Sequence, residues 1–399
     1  MTIRVLSLSM LFPSAARPGF GLFVARKFDA LAAEGSVELD LICPVASPVW
    51  PLSLLRKPSA AAFAPPPGRT INHAVHYLPF STVPKLGARW NPQFIARAVL
   101  PLARRLHAER PFHVVDAQFF FPEGPAAAIV ARALDLPLSI TARGSDIHLW
   151  GEIPGARRQI TQAADQAAGL RAVSAALRAD MAALGMDGSK IEVHYTGLDH
   201  GRFHPIPRDE ARRISAANGL LPEGFAGPVF VSVGNLIPLK GQALAIEALS
   251  GMPDARLVIA GDGPERTALA LKAAQTGVGD RVKIAGSVPP DQLVPLLCAA
   301  NAMVLPSERE GLANAWVEAI ACGTPIVIPD VGGAREVVCT PSAGRLAARN
   351  PAAIAGALAE LIANPLPQAE VAANAARFSW QANSARVAGH YRRLAGFPE

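Results

Sequence analysis

The chain has 399 residues, half of them apolar and 18% charged, which is ample for two buried cores; no apolar run approaches the ~20 residues of a membrane span. Its net charge of +6 lies entirely in the first half: residues 1–205 hold 21 Lys+Arg against 15 Asp+Glu, and residues 206–399 hold 17 against 17. No basic run is interleaved with aromatics, which make up 6% of the chain, so nucleic acid is not an expected partner; an anionic membrane surface or a lipid-linked phosphate fits better, beside the plain alternative of solvated surface charge.

Short β-branched runs alternate with Ala/Leu-rich helical stretches, the pattern of an α/β fold with parallel sheets. Met1 to Phe12 has the look of a weak signal sequence. Its apolar stretch is short and runs into a Gly-containing loop, which favours a first strand over Ile3–Ser9. Pro18-Gly19-Phe20-Gly21 follows, before a helix near Leu22–Ala33, and is placed to form the floor of a cleft. Residues 44–70 carry many prolines and alanines with little periodicity, which predicts a surface loop. Further strands are expected near Leu39–Ile42, Val75–Leu78, Val114–Ala117, Leu138–Thr141, Gly169–Val173 and Ile191–His194, with helices between them. After the strand Leu138–Thr141 comes Ala142-Arg143-Gly144-Ser145-Asp146-Ile147-His148, which crowds Arg143, Asp146 and His148 into one strand-end loop where catalytic groups tend to sit. Asp146 suits either a capping role or contact with a sugar or acceptor, and His148 alone is better read as a satisfied surface histidine.

Phe203-His204-Pro205-Ile206-Pro207-Arg208 reads as a hinge, and a second alternation starts at Pro228-Val229. Gly234-Asn235-Leu236-Ile237-Pro238-Leu239-Lys240-Gly241 sits between a strand and a helix, where α/β sheets bind ligands. Lys240 is either a surface lysine at a turn or an ammonium facing a diphosphate. Gly261-Asp262-Gly263-Pro264 is a turn or a close approach to a ligand. Gly286-Ser287-Val288-Pro289 is placed to turn its backbone toward a base. Gly332-Gly333-Ala334-Arg335-Glu336 suggests a loop close to a ligand, with Glu336 at a helix start. The tail from Ser379 to Leu394 is one more amphipathic helix. Cys43, Cys298, Cys322 and Cys339 are far apart without metal spacing and read as reduced, mostly buried thiols of a cytosolic protein.

The most informative stretch is Ser307 to Pro325. It sets Glu310 and Glu318 around the start of a helix that closely follows a strand. A helix start offers free N–H groups and favours anions. Carboxylates beside such a site are suited to accept hydrogen bonds from hydroxyls, and hydroxyls next to phosphates suggest a nucleotide sugar. The chain lacks G-x-G-x-x-G after its first strand, a Walker A pattern, H-E-x-x-H and G-x-S-x-G. Paired carboxylates also occur in glycosidases, but a lysine loop and an amide-rich helix start have no role in water attack on a glycoside.

With these motifs the chain resembles the family-4 glycosyltransferases, over nearly its whole length and most strongly over residues 228–340. Glu310 and Glu318 in E-x7-E, Gly234…Lys240-Gly241, Gly261-Asp262-Gly263-Pro264, Pro306-Ser307 and Gly332-Gly333…Glu336 follow the family's order, as do Gly197, Asp199, Phe203 and Pro205 at the domain junction. The resemblance implies a GT-B fold: two Rossmann-like, doubly wound domains over 1–205 and 206–376 facing across a cleft, with a helix over 377–399 packing back toward the first. It implies retaining transfer from a UDP or GDP sugar to a hydroxyl of a saccharide or lipid-linked acceptor, in polysaccharide or glycolipid biosynthesis. No cofactor or metal is expected, and the place of action is the cytoplasm, peripheral on the inner membrane face. By motif position Lys240 contacts the donor diphosphate and Glu318 the ribose. Glu310 and the backbone of Gly311, Leu312, Ala313 and Asn314 hold the transferred sugar and phosphate. Gly19 and Gly21 approach the reaction centre, while Gly234, Asn235, Gly261 and Val288 complete the donor site. Two positions depart from the family: Asn235 stands where arginine is frequent, and Arg143 replaces the histidine of H-G-x-D. Arg143 and Arg309 are candidates to supply the missing cation, and the alternative to an enzyme is a non-catalytic sugar-nucleotide binder.

Overall fold

The apolar runs form parallel strands throughout. The computed structural model describes residues 2–48, 57–69, 71–82 and 88–398, which fall into two compact units: Met1–Gly197 with Trp380–Glu399 (unit 1), and Leu198–Ser379 (unit 2). The sequence division at 205/206 and 376/377 differs from this by eight residues at the first boundary and three at the second. Leu198 N–H donates to the Phe378 carbonyl at 3.0 Å, so these two segments pair within unit 2.

Unit 1 holds β1 (Ile3–Leu8), β2 (Val37–Pro48), β3 (Ala74–Thr82), β4 (Val114–Ala117), β5 (Leu138–Ala142), β6 (Gly169–Ala172) and β7 (Ile191–Val193). They lie in the order β3-β2-β1-β4-β5-β6-β7, all parallel. β1 is buried along its whole length, as a strand covered on both faces must be. The loop expected over 44–70 needs correction. Residues Pro44–Pro48 continue β2 and pair with Leu78–Thr82. β1 stops pairing with β2 at Ile42, so beyond it one side of β2 is an edge, where a proline's missing N–H costs no ladder bond. Ala60–Phe63 is a 3-10 turn, and residues 49–56 and 70 of that expected loop lie outside the described residues.

Unit 2 holds β8 (Val229–Val233), β9 (Arg256–Ala260), β10 (Val282–Gly286), β11 (Ala302–Val304), β12 (Ile326–Ile328) and β13 (Gly344–Leu346), in the parallel order β10-β9-β8-β11-β12-β13. β13 and the helix Arg208–Ala217 were not anticipated: β13 is only three residues long, and the helix, although amphipathic, is strongly polar with few large apolar side chains. The unit 2 core joins Phe230, Ile246, Leu257 and Ile259 to Leu358 and Leu361. In unit 1, Val24, Phe28 and Leu31 of the helix Leu22–Glu34 share a core with Val387 and Tyr391 of the C-terminal helix Trp380–Leu394. The chain end thus returns to the first sheet.

Each sheet reverses its strand order once, between β1 and β4 in unit 1 and between β8 and β11 in unit 2. Loops leaving the two central strands part there in opposite directions and open a crevice at the strands' carboxyl ends.

Candidate active site

In unit 2 the crevice lies between the loop after β8 and the loop after β11. Lys240 ends a 3-10 turn, Pro238–Lys240, and its Nζ pairs with Glu310 Oε1. The Ser307 hydroxyl donates to the same oxygen at 2.8 Å. Both charged side chains are mostly covered, at 20% and 11% exposure, so each holds the other in a fixed position. The loops are also tied by backbone: Glu308 N–H donates to the Leu239 carbonyl at 2.8 Å. The lysine and the first of the paired glutamates, 70 positions apart in sequence, therefore form one unit.

Glycine makes this packing possible at two positions. Gly332 has φ +50, and a Cβ there would collide with the Glu310 carbonyl; its neighbour Gly333 donates to the Gly311 carbonyl at 2.8 Å. Gly261 has φ +152, and a Cβ there would collide with the Gly234 carbonyl. The close approaches read from these motifs are thus made by neighbouring loops, which lock one another in place. Gly261 N–H also donates to Gly286 at 2.7 Å, which fixes the loop carrying half-buried Val288. Asn235 is exposed, and its carbonyl accepts from Gln242 Nε2 at 3.1 Å. Gly311 and Leu312 are buried, whereas Ala313 and Asn314 are half-buried at the start of the helix Asn314–Ala321. The first N–H groups of that helix have no partner within it. Glu318 lies one turn further on, half-buried. Arg309 rests 3.9 Å from Glu308 at the surface.

Unit 1 brings its expected residues together differently. Gly21 begins the helix Leu22–Glu34 in a left-handed conformation against Leu11, and Gly19 stands in open space. Asp146 is fully buried and accepts N–H groups from Phe120 (2.9 Å), Arg143 (3.0 Å) and Gly144 (2.8 Å). Of the two roles open to it, the fold uses the structural one: the carboxylate joins the loops after β4 and β5. Burial raises its pKa against the pull of those amides. Arg143 donates from Nε to the Gln118 carbonyl and from Nη2 to Gln118 Oε1, both at 2.8 Å, over the Phe23 ring. A guanidinium so occupied is poorly placed to reach for a phosphate. Burial, then nearby Arg171, lower its pKa to about 10. His148 is half-buried and pairs with Asp180 at 2.8 Å.

Beneath these loops lies a charged layer the sequence reading missed. Asp116 is fully buried, takes the Ser7 hydroxyl at 2.9 Å, and is bonded by Gln118 and by Arg171, itself 1% exposed. Lys27 donates to Gln118 Oε1 at 3.0 Å, and Arg171 reaches Tyr391 of the C-terminal helix at 3.2 Å. Burial pulls the Asp116 pKa up, but Arg171 and Lys27 outweigh it and the net shift is down. Burial, then Arg171, push Lys27 well below its ordinary value. Glu123 begins the helix Glu123–Leu134, accepts Met10 N–H at 2.7 Å, and is lifted by burial to about 8. The available signal was a charged or amide residue inside or just after an apolar strand, as at Asp116 and Gln118. Glu192 accepts from His390 (2.9 Å) and Arg393 (2.7 Å) of the C-terminal helix and lies 3.0 Å from His194, which makes the cluster a clasp for that helix.

The family of transferases described as "Glycosyl transferases group 1" matches residues 223–378, and that described as "Glycosyltransferase Family 4" matches residues 19–202. The D-inositol 3-phosphate glycosyltransferase of Xylanimonas cellulosilytica is 30% identical over 311 residues, covering 73% of this chain and 74% of its own. The chain belongs to the group 1 and family 4 glycosyltransferases. TuaC of Bacillus subtilis (strain 168), a glycosyltransferase ascribed to teichuronic acid biosynthesis, is 28% identical over 339 residues, which cover 83% of this chain and 82% of TuaC. Among solved structures, Anabaena Alr3699/HepE in complex with UDP superposes with a TM-score of 0.74 at 21% identity, over 98% of this chain and all of that one. The two doubly wound sheets are those of the GT-B fold, as the motifs implied.

Proposed function

We propose that this glycosyltransferase takes its sugar from a nucleotide diphosphate sugar and passes it, with retained configuration, to a hydroxyl of a saccharide or lipid-linked acceptor. The observation that carries the reading is the Lys240–Glu310 pair at the β8/β11 crevice, beside the start of the helix Asn314–Ala321. An ammonium and free helix N–H groups supply positive charge for a leaving diphosphate. Glu310 and Glu318 offer acceptor oxygens to sugar and ribose hydroxyls. The UDP held by the Anabaena neighbour supports a uridine donor, although a GDP sugar fits the same chemistry. Because protein groups supply the countercharge, we expect turnover to survive metal chelation.

The acceptor side belongs to unit 1, and we place the protein on the inner face of the cell membrane. No helix among the described residues is long and apolar enough to cross a membrane. Trp90 is 44% exposed with Arg89 over its ring, and Gln159 donates to the Arg89 carbonyl. That bond ties the turn to the helix Pro154–Gln166, which carries Arg157 and Arg158 behind the exposed Ile153. An exposed ring and an exposed isoleucine among arginines suit an anionic interface. Flotation with anionic vesicles but not with neutral ones is the expected result, and equal behaviour removes the membrane part.

A panel of nucleotide sugars tests the donor. Turnover or hydrolysis of one, with a thermal shift by the matching nucleoside diphosphate, is expected; silence across the panel ends the reading. Asn235 and the occupied Arg143 favour a second reading, a binder without turnover, and a thermal shift unaccompanied by any turnover selects it.

A further inference from the structure

In unit 1 the loops after β1 and β4, with the end of β2, border a half-open cavity of ≈ 440 Å³. That lies within the roughly 300–1,000 Å³ of small-molecule pockets. It sits at the strand-order reversal, the place in this sheet where a ligand is expected. Phe12, Phe20, Tyr77, Phe119, Phe121 and Trp150 line it, in a chain that is only 6% aromatic. Phe121 and Trp150 pack with ring centroids 4.8 Å apart. Tyr77 gives its hydroxyl proton to the Pro13 carbonyl at 2.6 Å, so it offers the cavity ring surface rather than a polar tip. The exposed Arg17 lies 3.6 Å over the Phe20 ring.

A bare sugar ring carries hydroxyls around its whole edge and needs partners for them. This wall has few. Its one carboxyl group, Glu123, is buried, with Oε1 engaged by Met10 N–H and Oε2 without a partner. An alkyl chain or an aromatic ring asks for no polar partner and gains from leaving water.

We propose that this cavity binds an apolar group attached to the acceptor, an alkyl chain or aromatic ring joined to the hydroxyl-bearing head, so that the acceptor is amphiphilic. The inference rests on the glycosyltransferase reading above and narrows its acceptor, there either a saccharide or lipid-linked, to molecules carrying an apolar aglycone. Arg17 at the rim suits an anionic link between the two parts.

Methyl, octyl and phenyl glucosides, used below the micelle concentration of the octyl compound, are the probes. Binding is read by calorimetry and by acceptor-stimulated release of nucleoside diphosphate. Octyl or phenyl glucoside is expected to bind at least ~10-fold more tightly than methyl glucoside. An octyl preference assigns a chain and a phenyl preference a ring. Ala46→Trp, which fills the cavity from its exposed side on β2, is expected to abolish the advantage. Ala62→Phe, from another wall, takes its place if that variant fails to melt cooperatively. Methyl glucoside binding as tightly as the others overturns the proposal, as does an advantage that survives both fillings. Nucleoside diphosphate binding is measured in parallel on the unmodified protein. Its absence counts against the transferase reading, whereas its presence without an apolar preference counts against this inference alone.

Discussion

At the unit 2 crevice a lysine and a glutamate stand in the loops themselves, at 20% and 11% exposure. At the unit 1 crevice the charges lie a layer lower, with Asp116 and Arg171 at 0% and 1%, and aromatic rings form the wall above them. One topology thus presents charge to a ligand in one unit and apolar surface in the other. An ion pair that a ligand is to engage must stay within its reach, where water still screens it. A pair sealed from water must be satisfied by the protein alone, and Asp116 is: Ser7, Gln118 and Arg171 surround it.

Asp116→Asn should give the largest effect. It leaves Arg171 as an uncompensated buried cation, which typically costs ~3–5 kcal/mol. Chemical denaturation should show that loss, while nucleoside diphosphate affinity, which we propose resides in unit 2, stays as it was. If the variant melts like the unmodified protein, the layer is wetter than its burial indicates and the contrast between the units fails.

Lys240→Ala should do the opposite. Removing one stabilising donor from a leaving group costs ~2.7–4 kcal/mol of barrier, a fall in kcat of roughly 100- to 1,000-fold. The pair is partly exposed, so little stability should be lost. A variant that loses its fold along with its activity shows Lys240–Glu310 to be a structural clasp, and the two pairs then differ only in depth.

The same contrast explains what could be read in advance. The alternation of β-branched and Ala-rich runs predicted both sheets, because parallel strands buried on both faces leave a continuous apolar signature. The unit 2 candidates, which the fold brings together as a pair, could be picked out because they lie in short Gly-containing loops whose spacing survives in the sequence: Lys240 with Gly241, and Glu310 with Gly311. Unit 1 assembles its layer from Ser7, Lys27, Asp116, Gln118, Glu123 and Arg171, one or two from each element. Each alone looks like an ordinary residue, and only the strand order brings them together. Asp146 and Arg143 were visible because they share a loop, but nothing in that loop reveals that Phe120 and Gln118 of another loop occupy them.

Glu123 gives the smallest effect and the most direct test of how apolar the unit 1 crevice is. Its carboxyl rises from 4.5 to about 8, chiefly through burial; Met10 N–H and Arg143 pull it down, while Asp146 and Asp116 add to the rise. Near pH 6 it is protonated in the folded protein and ionised in the unfolded chain. The stability this group contributes is complete below pH 4.5, declines as pH rises, and is gone above 8. A glutamine side chain does not ionise, and its amide oxygen can still accept from Met10 N–H. Glu123→Gln should therefore match the unmodified protein at pH 4.5 and become progressively more stable than it by pH 8. The full shift corresponds to an upper bound of ~5 kcal/mol, and some water entry beside the cavity leaves ~2 kcal/mol as the expected gap. Thermal melts of both proteins between pH 4.5 and 9 measure it. Parallel curves mean that the carboxyl is solvated, and a solvated wall contradicts an apolar acceptor group as directly as failed glycoside binding does.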